Sequence, residues 1–386
     1  MKKSFLALAV LGAFAGSAMA ADVTLYGLVD YGFSYQNRDG DGTQDTVDQF
    51  QMKAGQNSGS RFGFKGTEDL GNGMKVSFVL ENGFDADTGS LTTNGKIFDR
   101  EASLTLAGNF GQVSFGRMGQ LASSLGTYGL LGAASPFSTG WGDMSGMKFV
   151  QANGHTRYNN MVTYKTPSFS GFNVVAQYSF GDSGESTDKA HSWAEGKASA
   201  DRYYGLGMTY KNDALYLAAI VDSINYGHEQ HTASKTNLDD SLTFTVAGNY
   251  NFGFMTVYAA GQYFDNVTGV GQKGLGDTGS GSIAAVNQFA ANGGEGYSVA
   301  LGLGVPVFGG TAKAHVGYVD AEDTVESKNT FSRWNMTVGY DYSLSKRTSV
   351  YTAATYAQDK YEYADTAKAD VEPSVVEVMA GLIHKF

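Results

Sequence analysis

No cysteine occurs in the 386-residue chain, so disulfides and thiolate metal sites are excluded. Proline is nearly missing, with 4 residues, while glycine reaches 52 and tyrosine plus phenylalanine 47 (23 + 24). Few prolines with many glycines and aromatics favour numerous strands over helix-length segments. Past the first 20 residues there is no long apolar run, and mean hydropathy is −0.23, which excludes a bundle of membrane-spanning helices. A basic excess is also absent. The formal net charge is −11, and −13 (−11 − 2) without Lys2 and Lys3. Nucleic acid is therefore not an expected partner, since its phosphates call for a basic surface.

What is present begins with a targeting signal. Met1-Lys2-Lys3 is a short cationic start, residues 5–14 are apolar, and Ala18-Met19-Ala20 has the small residues of a cleavage site. An apolar run this short does not span a bilayer as a helix, which takes about 20 residues. The expectation is a signal peptide over 1–20 and an exported mature chain over 21–386. Without disulfides, an exported protein of that size has to draw its stability from a closed hydrogen-bonded sheet.

The carboxy-terminal segment shows what kind of sheet. From 374 to 386, Val376, Val378, Ala380, Leu382, His384 and Phe386 share one face, and Glu377, Met379, Gly381, Ile383 and Lys385 the other. A tilted strand of about 9–11 residues crosses a bilayer with one face to lipid and one to a lumen. Because no loop follows Phe386, this strand is expected to close a barrel against the first one. Similar alternation recurs throughout: Leu242, Phe244 and Val246 oppose Thr243 and Thr245, and Trp334, Met336 and Val338 oppose Arg333, Asn335 and Thr337. A soluble sandwich also alternates, but its strands are usually shorter, and here aromatics gather at strand ends as interfacial girdles require.

Connections come in two sizes. Seven short ones, such as 71–73, 108–111 and 251–253, carry the Gly, Asn and Asp chemistry of tight turns. Eight long polar ones lie at 36–58, 85–96, 118–156, 181–201, 226–238, 265–295, 321–328 and 359–373. Seven plus eight connections imply about sixteen strands, with both chain ends on the periplasmic side. The fold expected is an all-β transmembrane antiparallel barrel in one domain.

Residues 118–156 differ from the other long connections. Leu121, Leu125, Leu130, Leu131, Phe137 and Trp141 make the segment apolar and poorly suited to bulk water, so it is expected to fold into the lumen. Around it stand Arg61, Lys65, Arg100, Arg117, Arg157 and Lys165, which as a set suit a pore lining. Asp143 is the only carboxylate between Arg117 and Arg157. Other acids gather at Asp39, Asp41, Asp45 and Asp48, at Asp182, Glu185 and Asp188, and at Asp359, Glu362, Asp365 and Asp370. Such runs are usually solvated loop faces; bridging by divalent cations near lipopolysaccharide is the sharper alternative.

The segment 100–106 admits two phases. Leu104 and Leu106 can face outward with Glu101 inward, but that phase would send Arg100 to lipid at about 2–4 kcal/mol near the midplane. The other phase puts Glu101, Ser103 and Thr105 outside, where a protein neighbour would suit them. The second is the expectation, and it implies an oligomeric barrel.

Several segments resemble the general diffusion porins of Gram-negative outer membranes: residues 23–30 (VTLYGLVD), 60–66 (SRFGFKG), 115–117 (FGR), 157–164 (RYNNMVTY), 344–348 (LSKRT) and the terminal Phe386. The resemblance covers the whole mature chain. It implies a homotrimer of sixteen-stranded barrels, each narrowed by its third loop, lying in outer-membrane lipid and lipopolysaccharide. It implies Arg61, Arg100, Arg117, Arg157 and Lys165 as the basic side of the constriction, and Phe386 as a terminus read during insertion. With a single loop carboxylate, Asp143, the acidic side departs from the enterobacterial pattern. The function implied is passive diffusion of ions and small hydrophilic solutes, without a cofactor. A small positive excess in a narrow lumen then favours anions weakly. Enzyme signals are weak: His228 and His231 lack the i, i+4 zinc spacing, and the glycines of 302–310 have no following Lys-Ser/Thr. A substrate-specific channel or receptor barrel, and a barrel enzyme, are the alternatives.

Overall fold

In the computed structural model the residues described are 23–41, 46–138, 140–181, 201–226, 238–271, 292–324, 329–366 and 369–386. The signal segment 1–20, Asp45 and the acidic group Asp182, Glu185 and Asp188 lie outside them. The strands are β1 Thr24–Asp39, β2 Val47–Ala54, β3 Arg61–Gly71, β4 Met74–Asp85, β5 Ser90–Leu91, β6 Glu101–Gly108, β7 Gly111–Gly119, β8 Arg157–Lys165 and β9 Phe172–Ser179. They continue as β10 Arg202–Lys211, β11 Leu215–Asn225, β12 Ser241–Asn251, β13 Thr256–Val267 and β14 Gly294–Val307. β15 Gly310–Asp323, β16 Thr330–Ser343, β17 Thr348–Glu362 and β18 Ser374–Lys385 complete the set.

Every neighbouring pair is antiparallel, and β18 pairs with β1 from Leu28↔Lys385 to Asp39↔Ser374, so the sheet closes on itself. Two elements are not separate staves. β2 and β3 both pair with β1, one above the other, and form a single stave interrupted at residues 55–60. β5 is a stub on the end of β4. Sixteen staves remain, as the count of turns and loops predicts. At the seam the backbones of Gly27 and Phe386 exchange hydrogen bonds of 3.2 and 3.1 Å, so the ladder runs to the last residue. Closure satisfies the backbone groups that a lipid environment would otherwise leave unpaired.

Alternation reads directly as exposure. Leu242, Phe244 and Val246 are about half exposed, while Thr243 and Thr245 are buried. On β16, Trp334, Met336 and Val338 face out while Arg333, Asn335 and Thr337 are buried inside. The interior is filled by residues 120–156, whose Leu121, Tyr128 and Leu131 pack on Tyr158, Met161, Val175, Tyr203 and Ile220 from the inner wall. Each large apolar side chain buried this way contributes about 1.5–3 kcal/mol. The approach is close. A Cβ at Gly302 would sit 2.6 Å from Cδ of Pro136, so the inner face of β14 needs glycine there for the segment to lie against it.

Two expectations are corrected. The first long connection, read as 36–58, is mostly strand: β1 runs to Asp39 and the chain resumes pairing at Val47. Its Gln, Asp and Lys content suggested a loop because the inner face of a pore strand is polar too. The phase of 100–106 is also reversed. Leu104 and Leu106 are exposed outside, whereas Glu101 is buried inside and accepts from Ser103 at 2.9 Å and from the Thr127 hydroxyl at 2.7 Å. The apparent conflict with Arg100 dissolves because β6 begins at Glu101. Arg100 precedes the regular pleat and reaches inward to Glu81, 2.7 Å away. Leu104→Arg should therefore lower the yield of folded barrel in lipid, costing about 2–4 kcal/mol if Leu104 lies near the midplane and less toward either interface. A folded yield in lipid vesicles equal to wild type would return Leu104 to the lumen.

Candidate functional site: the pore constriction

The inner wall formed by β3, β4, β6, β7 and β8 carries the basic side. Register pairs Arg61↔Gly83, Glu81↔Glu101, Ala102↔Arg117 and Gly119↔Arg157 step across these strands and bring their charges to one level. Arg61 donates from Nε to the Gly59 carbonyl at 3.0 Å and from its second terminal nitrogen to the Ser58 hydroxyl. Its other terminal nitrogen lies 3.8 Å from Glu81. Arg117 donates to the Asp99 carbonyl at 2.6 Å and to Asn159 at 2.7 Å. Arg100 is the electrostatic neighbour shared by Arg61 and Arg157. Among like charges this close, Glu81 is the moderating group. It accepts from Arg100 and, at 3.1 Å, from the Tyr26 hydroxyl.

Lys65 and Lys165 are not drawn into this group. Lys65 lies four residues along β3 from Arg61, about 13 Å at strand rise, with its ammonium 5.0 Å over the Tyr26 ring. Lys165 ends β8, eight residues or about 26 Å from Arg157. It registers with Gln112, beside the short turn into β7.

The inserted segment supplies the rest of the site. Its first leg is held by Thr127 on Glu101, by Tyr216 donating to the Leu130 carbonyl at 2.6 Å, and by Asn249 donating to the Ala133 carbonyl at 2.6 Å. Further on, the Lys313 ammonium sits 4.5 Å over the Trp141 ring. At the tip, Glu377 of β18 accepts the backbone N–H of Asp143 with both oxygens at 3.1 Å and that of Met144 at 2.9 Å. The Asp143 side chain pairs with Lys53 and accepts from Gln36 at 3.1 Å. The return leg is tied by Asn335 to the Met144 and Gly146 carbonyls at 3.2 Å, and by Arg333 to the Phe149 carbonyl at 3.0 Å. Arg333 is buried in a bidentate pair with Asp359, at 2.5 and 2.7 Å. Burial and the nearby Lys148 push the His155 imidazole down to about 3, so that residue adds no charge at neutral pH.

A closed sixteen-stave barrel with an apolar segment bound in its interior and guanidinium groups clustered on the inner wall is the arrangement of an aqueous pore. The model of the Gram-negative porin family matches residues 7–362. This chain belongs to the Gram-negative porin family. The porin is 32% identical to an outer membrane porin protein of Bordetella pertussis, over the full length of both chains. It is also 32% identical to outer membrane porin protein 32 of Delftia acidovorans, covering 93% of this chain and 90% of the relative. Among solved structures, the anion-selective porin from Comamonas acidovorans superposes with a TM-score of 0.67 at 26% identity, over 95% of this chain and 100% of that one. The porin is accordingly an outer-membrane barrel, a channel for passive diffusion of ions and small hydrophilic solutes.

Of the residues named from sequence, Arg61, Arg100, Arg117 and Arg157 come together, and Asp143 is engaged with Lys53 and Gln36 on β2 and β1. Sequence reading missed Glu81, Asp99, Lys53 and Gln36 as members of the site. Glu81 was within reach: it sits on the polar face of 74–81 with Lys75, Ser77 and Val79. Lys53 and Gln36 were lost with the loop assigned over 36–58. Glu377→Gln should loosen the tip of the inserted segment, since hydrogen bonds to a charged acceptor contribute about 1.5–3 kcal/mol each. Single-channel recordings should show more frequent partial closures. A trace as quiet as wild type would mean that Glu377 does not hold the tip.

Proposed function

We propose that this porin is a weakly anion-preferring diffusion channel that works as a homotrimer and loses residues 1–20 on export. The observation that carries the preference is the imbalance at the constriction. Four guanidinium groups, Arg61, Arg100, Arg117 and Arg157, stand with three carboxylates, Glu81, Asp99 and Glu101, while Asp143 is offset by Lys53. Acids dominate the whole chain, but Asp39, Asp41, Asp48, Glu362, Asp365 and Asp370 lie at or beyond strand ends, where salt screens them over about 8 Å. Asp359, read from sequence as part of a solvated run, is instead buried in its pair with Arg333. Inside a narrow lumen the low-dielectric wall focuses the field of the nearer arginines. The relative from Comamonas acidovorans bears the name anion-selective, in line with this reading. Solutes pass unchanged, selected by size and charge.

In a salt gradient the wild-type reversal potential should indicate a modest anion preference. Neutralising Arg61 together with Arg157 should move it toward cations, and replacing Asp48 and Asp182 should move it much less. A clear cation preference of the wild type at moderate salt would refute the assignment.

The wall of β18, β1 and β2 supports the trimer. Phe33 and Phe50 stack there at 5.7 Å, and Tyr31, Phe33, Met52 and Leu382 line an outer groove of about 720 Å³. The polar residues Glu101 and Ser103 no longer argue for this contact, because they face inward. Native mass spectrometry of the detergent-extracted protein should report three copies, and a purely monomeric spectrum would overturn the proposal.

A further inference from the structure

The stave made of β2 and β3 breaks at residues 55–60, and the break is organised by one buried carboxylate. The register along β1 shifts there by four residues, from Tyr31↔Ala54 to Leu28↔Arg61, so the extra chain leaves the ladder as an inward bulge. Gly55 makes the exit with φ +70, a backbone angle that suits glycine. Asp30 is fully buried beneath the bulge. One of its oxygens accepts the backbone N–H of Asn57 at 2.7 Å and of Ser58 at 2.8 Å. The other accepts the Tyr351 hydroxyl at 2.6 Å. The Asp30 backbone adds an N–H to the Ser60 hydroxyl at 3.1 Å and a carbonyl that accepts from the Gly55 N–H at 2.9 Å.

The bulge then does two things in the pore. Its Ser58 hydroxyl and Gly59 carbonyl hold the Arg61 guanidinium, and its Gln56 carbonyl accepts the Gly142 N–H at 2.6 Å. Both faces of the constriction thus hang on a piece of backbone that has left the ladder.

We propose that Asp30, braced by Tyr351, is the positioning residue for Arg61 and through it sets the selectivity of the pore. The inference rests on the reading that Arg61 lies in the selectivity constriction. Asp30 offers three short acceptor contacts that tie the bulge to Tyr351 on β17, beyond the intervening β18. In Asp30→Asn the amide oxygen keeps the two backbone N–H groups, but the amide nitrogen cannot accept from the Tyr351 hydroxyl, so that bond must reverse its direction and all three lose their charge assistance.

The sign of the effect separates positioning from bare charge. If Asp30 acted only through its own charge, Asp30→Asn would leave the pore less negative and more anion-preferring. If it positions Arg61, the same substitution releases the guanidinium from its place and moves the reversal potential toward cations. The expected result for Asp30→Asn is therefore a shift in the same direction as Arg61→Gln, with no further shift when the two are combined. Tyr351→Phe, which changes no charge, should give a smaller shift of the same sign, and it serves where Asp30→Asn does not assemble. Hydrogen–deuterium exchange of the 55–60 segment should speed up in both variants, a readout independent of what Arg61 does for ions. A silent Arg61→Gln would overturn the constriction reading. An effective Arg61→Gln beside an Asp30→Asn that shifts toward anions, or not at all, would overturn the positioning role. Unchanged exchange at 55–60 would overturn it as well.

Discussion

The pairing of β18 with β1 is the interaction on which the rest of this porin depends. Twelve residues of each strand are in register, and the terminal carbonyl and N–H of Phe386 still bond to Gly27. In hydrocarbon an open sheet edge would expose a row of unpaired amides, each costing several kcal/mol. Closing the ladder removes that edge, and it also creates a lumen whose lining is insulated from lipid. Charged and polar side chains that the bilayer would reject can then be placed inside at little penalty. Arg333 with Asp359 and the carboxylate of Glu377 are cases in point.

A lumen of sixteen staves is wide enough to admit part of the chain itself. The apolar character of residues 118–156 becomes intelligible once it has an inner wall to pack on. Its first leg runs against small wall residues such as Gly302, where a side chain would collide with Pro136. Backbone polar groups along the segment find wall partners in Tyr216, Asn249, Asn335 and Gln262, as irregular chain buried in protein must. The same wall therefore serves two ends. From β6 through β18 it holds the inserted segment, and from β3 through β8 it presents the arginines.

Charge at the constriction is arranged by compensation. Glu81 lies between Arg61 and Arg100 and keeps two guanidinium groups within one narrow region. Lys53, on the same stave as Arg61, answers Asp143, so the acid at the tip of the inserted segment secures structure. Selectivity in such a site depends on a difference of a few charges close to the permeating ion rather than on the sum over the chain, because distance and salt suppress the outer acids.

Strand number, outward faces and the lumenal fate of residues 118–156 were legible in the sequence because each is local. Period-two alternation, turn residues and composition can all be read within a dozen positions. The phase of 100–106 was not legible, since it depended on where regular pleating begins, and Arg100 stands one residue before it. Residues 36–58 were read as a loop because a pore-facing strand and a surface loop share a polar composition. The 55–60 bulge was invisible for a related reason: its existence is a mismatch of register between β1 and two successive partners. By itself the sequence determined a closed antiparallel barrel in an outer membrane and offered some of the basic residues of its interior as candidates. Only the tertiary structure decided which of those arginines share one level, that Lys65 and Lys165 do not, that Glu81 lies among them and that Lys53 pairs with Asp143. Those facts depend on the offset between neighbouring staves, which arises only when the ladder closes.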